Sequence, residues 1–147
     1  MKKYILFDLD GTLTDPMEGI CKSAARGLAH FGIKADYHDL TFFIGPPLLD
    51  TYRDRYGMND EQAREAVAAF REYFQPTGIY ENEIYPGIEE MLKELQDKGY
   101  FLAMATSKPE AFADIVLRHF HIRDYIKVMA GATTVSYTHL RAHETGA

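Results

Sequence analysis

The chain has 147 residues, of which 46% are hydrophobic, 26% charged and 13% aromatic, and its formal net charge is −6. That length suits one domain with a real core, and the composition excludes a disordered or fibrous chain. The acidic balance argues against a general nucleic-acid binder, which needs a basic stripe against phosphates. No apolar run approaches the ~20 residues of a membrane span. Met1-Lys2-Lys3 mimics the start of a signal peptide, but the apolar run that follows breaks at Asp8. The single cysteine, Cys21, has no internal partner, so the expectation is a soluble, cytoplasmic protein.

Residues 3–7 form a short aromatic and β-branched run that predicts a strand, punctuated by Gly11. A helix is expected from Pro16 to Phe31, capped by Asp15 and closed by Gly32. A short helix over 36–44 is broken by Gly45-Pro46-Pro47, and another follows over 48–56. Asn59 and Gln62 make a capping pair. Ala63, Ala66, Val67, Phe70, Tyr73 and Phe74 then trace one face at the helical period. After Pro86-Gly87 the pattern returns at Ile88, Met91, Leu92 and Leu95, and Gly99 stops it. Tyr100 to Ala105 is a nearly continuous apolar run, as in a strand buried on both faces. Ser107 and Glu110 have capping-box spacing, so a helix is expected to open at Ser107 and run to about Phe120. Tyr125 to Met129 predicts a third strand. Strand and helix alternate, so right-handed crossovers and a parallel sheet with helices on both faces are expected.

Asp8 and Asp10 lie two apart where the first strand ends. Period two puts both carboxylates on one side, at the sheet edge where open α/β folds bind ligands. Two close carboxylates do not both ionise cheaply, so one stays anionic as a nucleophile while the other keeps a proton. They also supply hard oxygens for Mg²⁺. An ordinary Asp-Gly turn is the competing reading. A calcium loop fails, because Leu13 stands where it needs glycine and Gly19 where it needs glutamate.

The octapeptide Asp8-Leu-Asp-Gly-Thr-Leu-Thr-Asp15 resembles the first motif of the haloacid dehalogenase-like phosphohydrolases, in their phosphoglycolate phosphatase and 5′-nucleotidase branch. Ala105-Thr106-Ser107-Lys108-Pro109 resembles their second motif, and Tyr85-Pro86-Gly87 the segment that re-enters the core. The resemblance implies a Rossmann-like α/β core from 1–15 and 83–133, here a partial sheet of about three strands, with a helical cap inserted at 16–82. It implies Asp8 as nucleophile and Asp10 as acid and base, with Mg²⁺ held by the Asp8 carboxylate and the Asp10 backbone carbonyl, and with Thr106 and the backbone amides after it, at Ser107 and Lys108, holding phosphoryl oxygens. Ser107 is equally readable as a helix cap and Lys108 as a solvated lysine. The implied activity is hydrolysis of small phosphorylated metabolites, such as phosphoglycolate or a nucleotide monophosphate, through an aspartyl-phosphate. A phosphomutase is the alternative of the same chemistry.

Smaller candidates carry less. Gly45-Pro46-Pro47 resembles a substrate-facing loop and reads equally as a helix breaker. Arg53 and Arg55 could reach an anion, but lone helix arginines are mostly solvated. Cys21 reads as a buried small residue. After Thr133 the family's lysine-bearing third and acidic fourth motifs are not found; residues 134–147 read as a tail foreign to the family, disordered or artefactual, resembling one on unrelated metagenomic reading frames. His139 and His143 lack the Glu placement of a zinc helix. The chain is thus also readable as a catalytically impaired fragment whose first strand is exposed at a sheet edge.

Overall fold

A computed structural model describes residues 3–132. Residues 134–147, including His139 and His143, lie outside the described residues. The chain divides into two compact units: Pro16–Glu83, all but purely helical, and a sheet unit built from the described residues on either side of it.

In the sheet unit β1 (Tyr4–Phe7) pairs in parallel with β4 (Phe101–Pro109), and β4 pairs in parallel with β5 (Val128–Ala132). The order is β1-β4-β5, and the two-residue strands β2 (Thr14–Asp15) and β3 (Glu83–Ile84) pair separately. Helices α4 (Ile88–Asp97) and α5 (Glu110–His119) precede and follow β4. Because the chain steps across the sheet in one direction, right-handed crossovers carry both helices over the same face. Leu102 and Met104 of β4 are buried on one row, as are Leu92, Val116, Leu117, Ile122 and Ile126 around them. The opposite row is open: Tyr4 is 69% exposed, Leu6 68% and Val128 53%. Tyr4 and Phe101, partners in the register, meet edge to face at 5.2 Å on that row.

Three expectations are corrected here. The run 100–105 is covered on one face only, Ala105 being exposed, because both crossovers advance the same way. β4 stays extended through Pro109 and α5 begins at Glu110, since a proline disfavours helical geometry at the residue before it. Ser107 is therefore not a helix cap. The last strand starts at Val128; Arg123–Tyr125 is a 3₁₀ turn, held by the Arg123 guanidinium on Asp114 at 2.8 Å and the Ile126 carbonyl at 2.7 Å.

The helical unit holds α1 (Met17–Ala29), α2 (Leu48–Tyr56) and α3 (Asp60–Phe74). Pro16, not Asp15, precedes the first turn of α1, because Asp15 is still extended in β2. Two 3₁₀ turns, Tyr37–Asp39 and Thr41–Phe43, replace the single helix expected there; Asp36 caps the first by accepting the His38 N–H at 3.0 Å. The α3 capping box forms in full, with Asn59 and Gln62 exchanging bonds of 2.8 and 3.0 Å. Ala63, Ala66, Val67, Phe70 and Phe74 are buried as expected, and so is Cys21. A Cβ on Gly19 would sit 1.8 Å from the Gly78 carbonyl oxygen, so α1 depends on glycine there.

The two rows of the sheet should respond differently to mutation. Leu102→Ala is expected to cost about 2–5 kcal/mol in urea unfolding. Leu6→Lys, on the open row, is expected to stay within about 0.5 kcal/mol and to lower binding of a hydrophobic dye.

Candidate active site

β1 ends at Phe7, and the chain then turns rather than continuing extended. The Leu9 carbonyl accepts N–H bonds from Thr12, Leu13 and Thr14 at 3.0–3.3 Å, and Gly11 N–H reaches the Thr14 carbonyl at 2.7 Å. Gly11 takes φ +82°, a left-handed conformation that glycine adopts without cost. The period-two argument for the aspartates thus stops one residue short of Asp8, and the turn places them instead. Asp8 is exposed, with Oδ1 accepting the Leu9 N–H at 2.8 Å. The Asp10 side chain is only 23% exposed.

Lys108 comes from the end of β4. Its side chain is 7% exposed, and its Nζ lies 3.4 Å from Asp10 Oδ2. The second oxygen, Asp10 Oδ1, is buried and has no hydrogen-bond partner among the described residues. Thr106 is buried beside them, its Oγ1 accepting the Lys108 N–H at 3.1 Å. Ser107 is exposed. The structure therefore brings Asp10, Thr106 and Lys108 together. Arg53 and Arg55 belong to the helical unit, where the Arg53 guanidinium is held by Asp50 and, at 2.8 Å, by Asp60, and Arg55 stacks 4.0 Å over Phe42.

Burial pushes the Asp10 carboxyl above the usual carboxylate range; Lys108 pulls it part of the way back, and the nearby charge of Asp8 adds to the rise. A carboxyl in that environment holds its proton to higher pH than an ordinary carboxylate does. The pairing of Lys108 with Asp10 was hidden in the sequence, but a signal for it existed. Leu102, Met104, Thr106 and Lys108 share one period-two row, and a lysine on the buried row of a strand calls for a counter-charge.

The donor set fits a Mg²⁺ ion. Asp8 and Asp10 supply hard oxygens at one turn, and the Asp8 carboxylate is exposed to a cation there. No cluster of three or more His, Cys, Asp or Glu able to hold a metal occurs among the described residues, so substrate oxygens and water would complete the shell. No described helix is long and apolar enough to cross a membrane.

A parallel sheet places two aspartates after one strand, and a buried threonine and lysine at the end of the next. The sequence profile of the haloacid dehalogenase-like hydrolases matches residues 5–139, and the chain belongs to that family. It is 48% identical over 129 residues to a 5′-nucleotidase of Pseudomonas aeruginosa, covering 87% of this chain and 58% of that protein. It is 42% identical to the tyrosine-protein kinase PtkA of Mycobacterium tuberculosis, covering 90% of this chain and 45% of that one. A phosphoglycolate phosphatase of Vibrio vulnificus is 32% identical, with 88% and 61% covered. A solved haloacid dehalogenase-like hydrolase from Streptococcus pneumoniae superposes with a TM-score of 0.83 at 27% identity, covering 97% of this chain and 70% of that one. The family match reaches six residues past the boundary expected at Thr133. The chain spans less than two thirds of the length of each of the three relatives.

Because its carboxyl is raised in the fold, Asp10 binds a proton more tightly folded than unfolded. Its ionisation thus lowers stability as pH rises from its ordinary value of 3.8 through the higher folded one. In metal-free buffer Asp10→Asn is expected to match the unsubstituted chain in urea midpoint near the acid end of that window and to exceed it at pH 7. A difference that closed with rising pH would contradict the environment described for Asp10.

Proposed function

We propose that the protein is a Mg²⁺-dependent phosphatase of small phosphomonoesters that works through an aspartyl-phosphate. The observation that carries this reading is the unequal pair at the end of β1: an exposed Asp8 beside a half-buried Asp10 whose carboxyl is held above its usual range. The exposed carboxylate is open to attack phosphorus, and the half-buried one is suited to carry a proton.

In the first step an Asp8 oxygen forms a bond to phosphorus as the ester P–O bond breaks, and Asp10 gives its proton to the leaving oxygen. In the second, Asp10 takes a proton from water, whose oxygen attacks phosphorus; the Asp8–phosphorus bond breaks and inorganic phosphate leaves. Thr106 keeps a hydroxyl proton to donate to a phosphoryl oxygen while its oxygen accepts from Lys108 N–H, and Ser107 is positioned at the same strand end. The Asp8 carboxylate and the Asp10 backbone carbonyl would hold the Mg²⁺, which when bound offsets the charge of the phosphoryl oxygens.

The substrate class, phosphoglycolate or a nucleotide monophosphate, is supported by the relatives named for those activities. The helical unit Pro16–Glu83 is proposed as the cap that selects among them, and a metabolite substrate suits a cytoplasmic location. The relative named as a tyrosine kinase supports a second outcome for the same phosphorus chemistry, transfer to an alcohol rather than to water.

Asp8→Asn is expected to lower phosphate release from glycolate phosphate and from a nucleotide monophosphate to background, and chelation of Mg²⁺ to do the same reversibly. Full activity in the Asp8→Asn chain would rule out the covalent route. Phosphate recovered on an added alcohol instead of in solution would favour the transfer outcome.

A further inference from the structure

We propose that Gly131 is a positioning residue for the phosphoryl-binding end of β4. Its lack of a side chain lets the first residue of α5 rest on the β5 backbone, and that contact sets where Thr106, Ser107 and Lys108 lie. The inference rests on the phosphoryl-binding role proposed for that stretch and deepens it, by assigning its placement to a residue of the neighbouring strand.

Up to Ala105 the two strands keep step, with Ala103 opposite Val128, Met104 opposite Met129 and Ala105 opposite Ala130. The next pair is Pro109 with Ala132, so β4 spends Thr106, Ser107 and Lys108 where β5 spends Gly131 alone. A strand with surplus residues between two fixed pairs must bow, and such bulges re-aim side chains beside active sites. Inside the bow Thr106 and Lys108 stay buried, Ser107 is exposed, and the Lys108 N–H is held on Thr106 Oγ1 at 3.1 Å.

The bow is closed against Gly131. By the two-residue period Gly131 falls on the row opposite the exposed Val128, the side over which α5 crosses. A Cβ on Gly131 would sit 2.6 Å from the Glu110 nitrogen and 2.7 Å from the Glu110 Cβ, so the start of α5 fills the space that any side chain would need. Non-bonded atoms settle at about 3.5–4.0 Å, so an alanine would drive Glu110 off by about 1 Å. Pro109, fixed at φ −52° by its ring, absorbs little of that shift, which passes upstream to Lys108 and Thr106. The backbone of Gly131 is not left-handed, and an extended strand otherwise favours alanine over glycine. A loss on adding one methyl group there therefore reports the contact with Glu110.

The test measures calorimetric binding of inorganic phosphate, kcat and KM on glycolate phosphate, and the urea midpoint, all on the full chain. Gly131→Ala is expected to fold, to raise the phosphate Kd and KM together, and to lower kcat/KM by about 10²-fold, the scale of a 1 Å misplacement. Ala130→Val, one residue earlier on the exposed row, is expected to change neither constant. Adding Glu110→Gly to Gly131→Ala lets the backbone yield at the contact itself, and is expected to restore most of the phosphate affinity.

A Gly131→Ala chain that binds phosphate as the unsubstituted chain does would overturn the proposal. So would a lower kcat at unchanged KM, the mark of a smaller folded fraction, or a double variant that folds without regaining phosphate. Failure of both variants to fold would make Gly131 a packing residue and overturn it as well. An unsubstituted chain with neither phosphate binding nor turnover would instead remove the phosphoryl-binding reading and this inference with it.

Discussion

The parallel pairing of β1 with β4 is the constraint on which the rest of the sheet unit depends. Its register, Tyr4 on Phe101 through Phe7 on Met104, joins segments separated in sequence by the whole helical unit. Closing so long a loop has an entropic cost that only a continuous set of backbone bonds and buried side chains offsets. Leu102 and Met104, both 1% exposed, supply the apolar part. Shifting the pairing by one residue would turn Lys108 out and the neighbouring exposed row in, so register and chemistry are a single requirement.

From that pairing follows the conflict at the end of the strands. Asp10 is drawn into a site where its charge is poorly solvated, and Lys108 offsets only part of the penalty. A fold optimised for stability alone would replace both by apolar residues, because a buried ion pair seldom outperforms good packing. On the reaction proposed for this site, their presence is stability given up for reactivity. In the helical unit the polar side chains serve caps, surface ion pairs and buried bonds such as that from the Tyr52 hydroxyl to the Ala24 carbonyl at 3.0 Å, Asn82 Oδ1 is buried without a partner among the described residues, and the close approach at Gly19 and Gly78 is steric.

Much of this was legible along the chain. The capping box at Asn59, the buried face of α3 and the bounds of α2 are local features, set by neighbours three or four residues away, and they formed as read. The errors fell where a local signal competed with a distant one. Ser107 and Glu110 have the spacing of a helix start, but Pro109 between them and the ladder to β5 keep that stretch extended, with Pro109 paired opposite Ala132. The run 100–105 looked buried on both sides because apolar content does not report which face receives a helix; that follows from the order in which strands are laid down.

The candidate site divides in the same way. The amino-acid order alone specifies the two aspartates, the glycine that turns the chain after them and the threonine and lysine of the later strand, because residue identity and short-range spacing are written directly in it. It does not say that Asp8 is exposed while Asp10 is half-buried, nor that the lysine faces Oδ2 of the second aspartate. Those facts depend on desolvation and on distances between residues remote in sequence, quantities that exist only once β1 and β4 lie side by side.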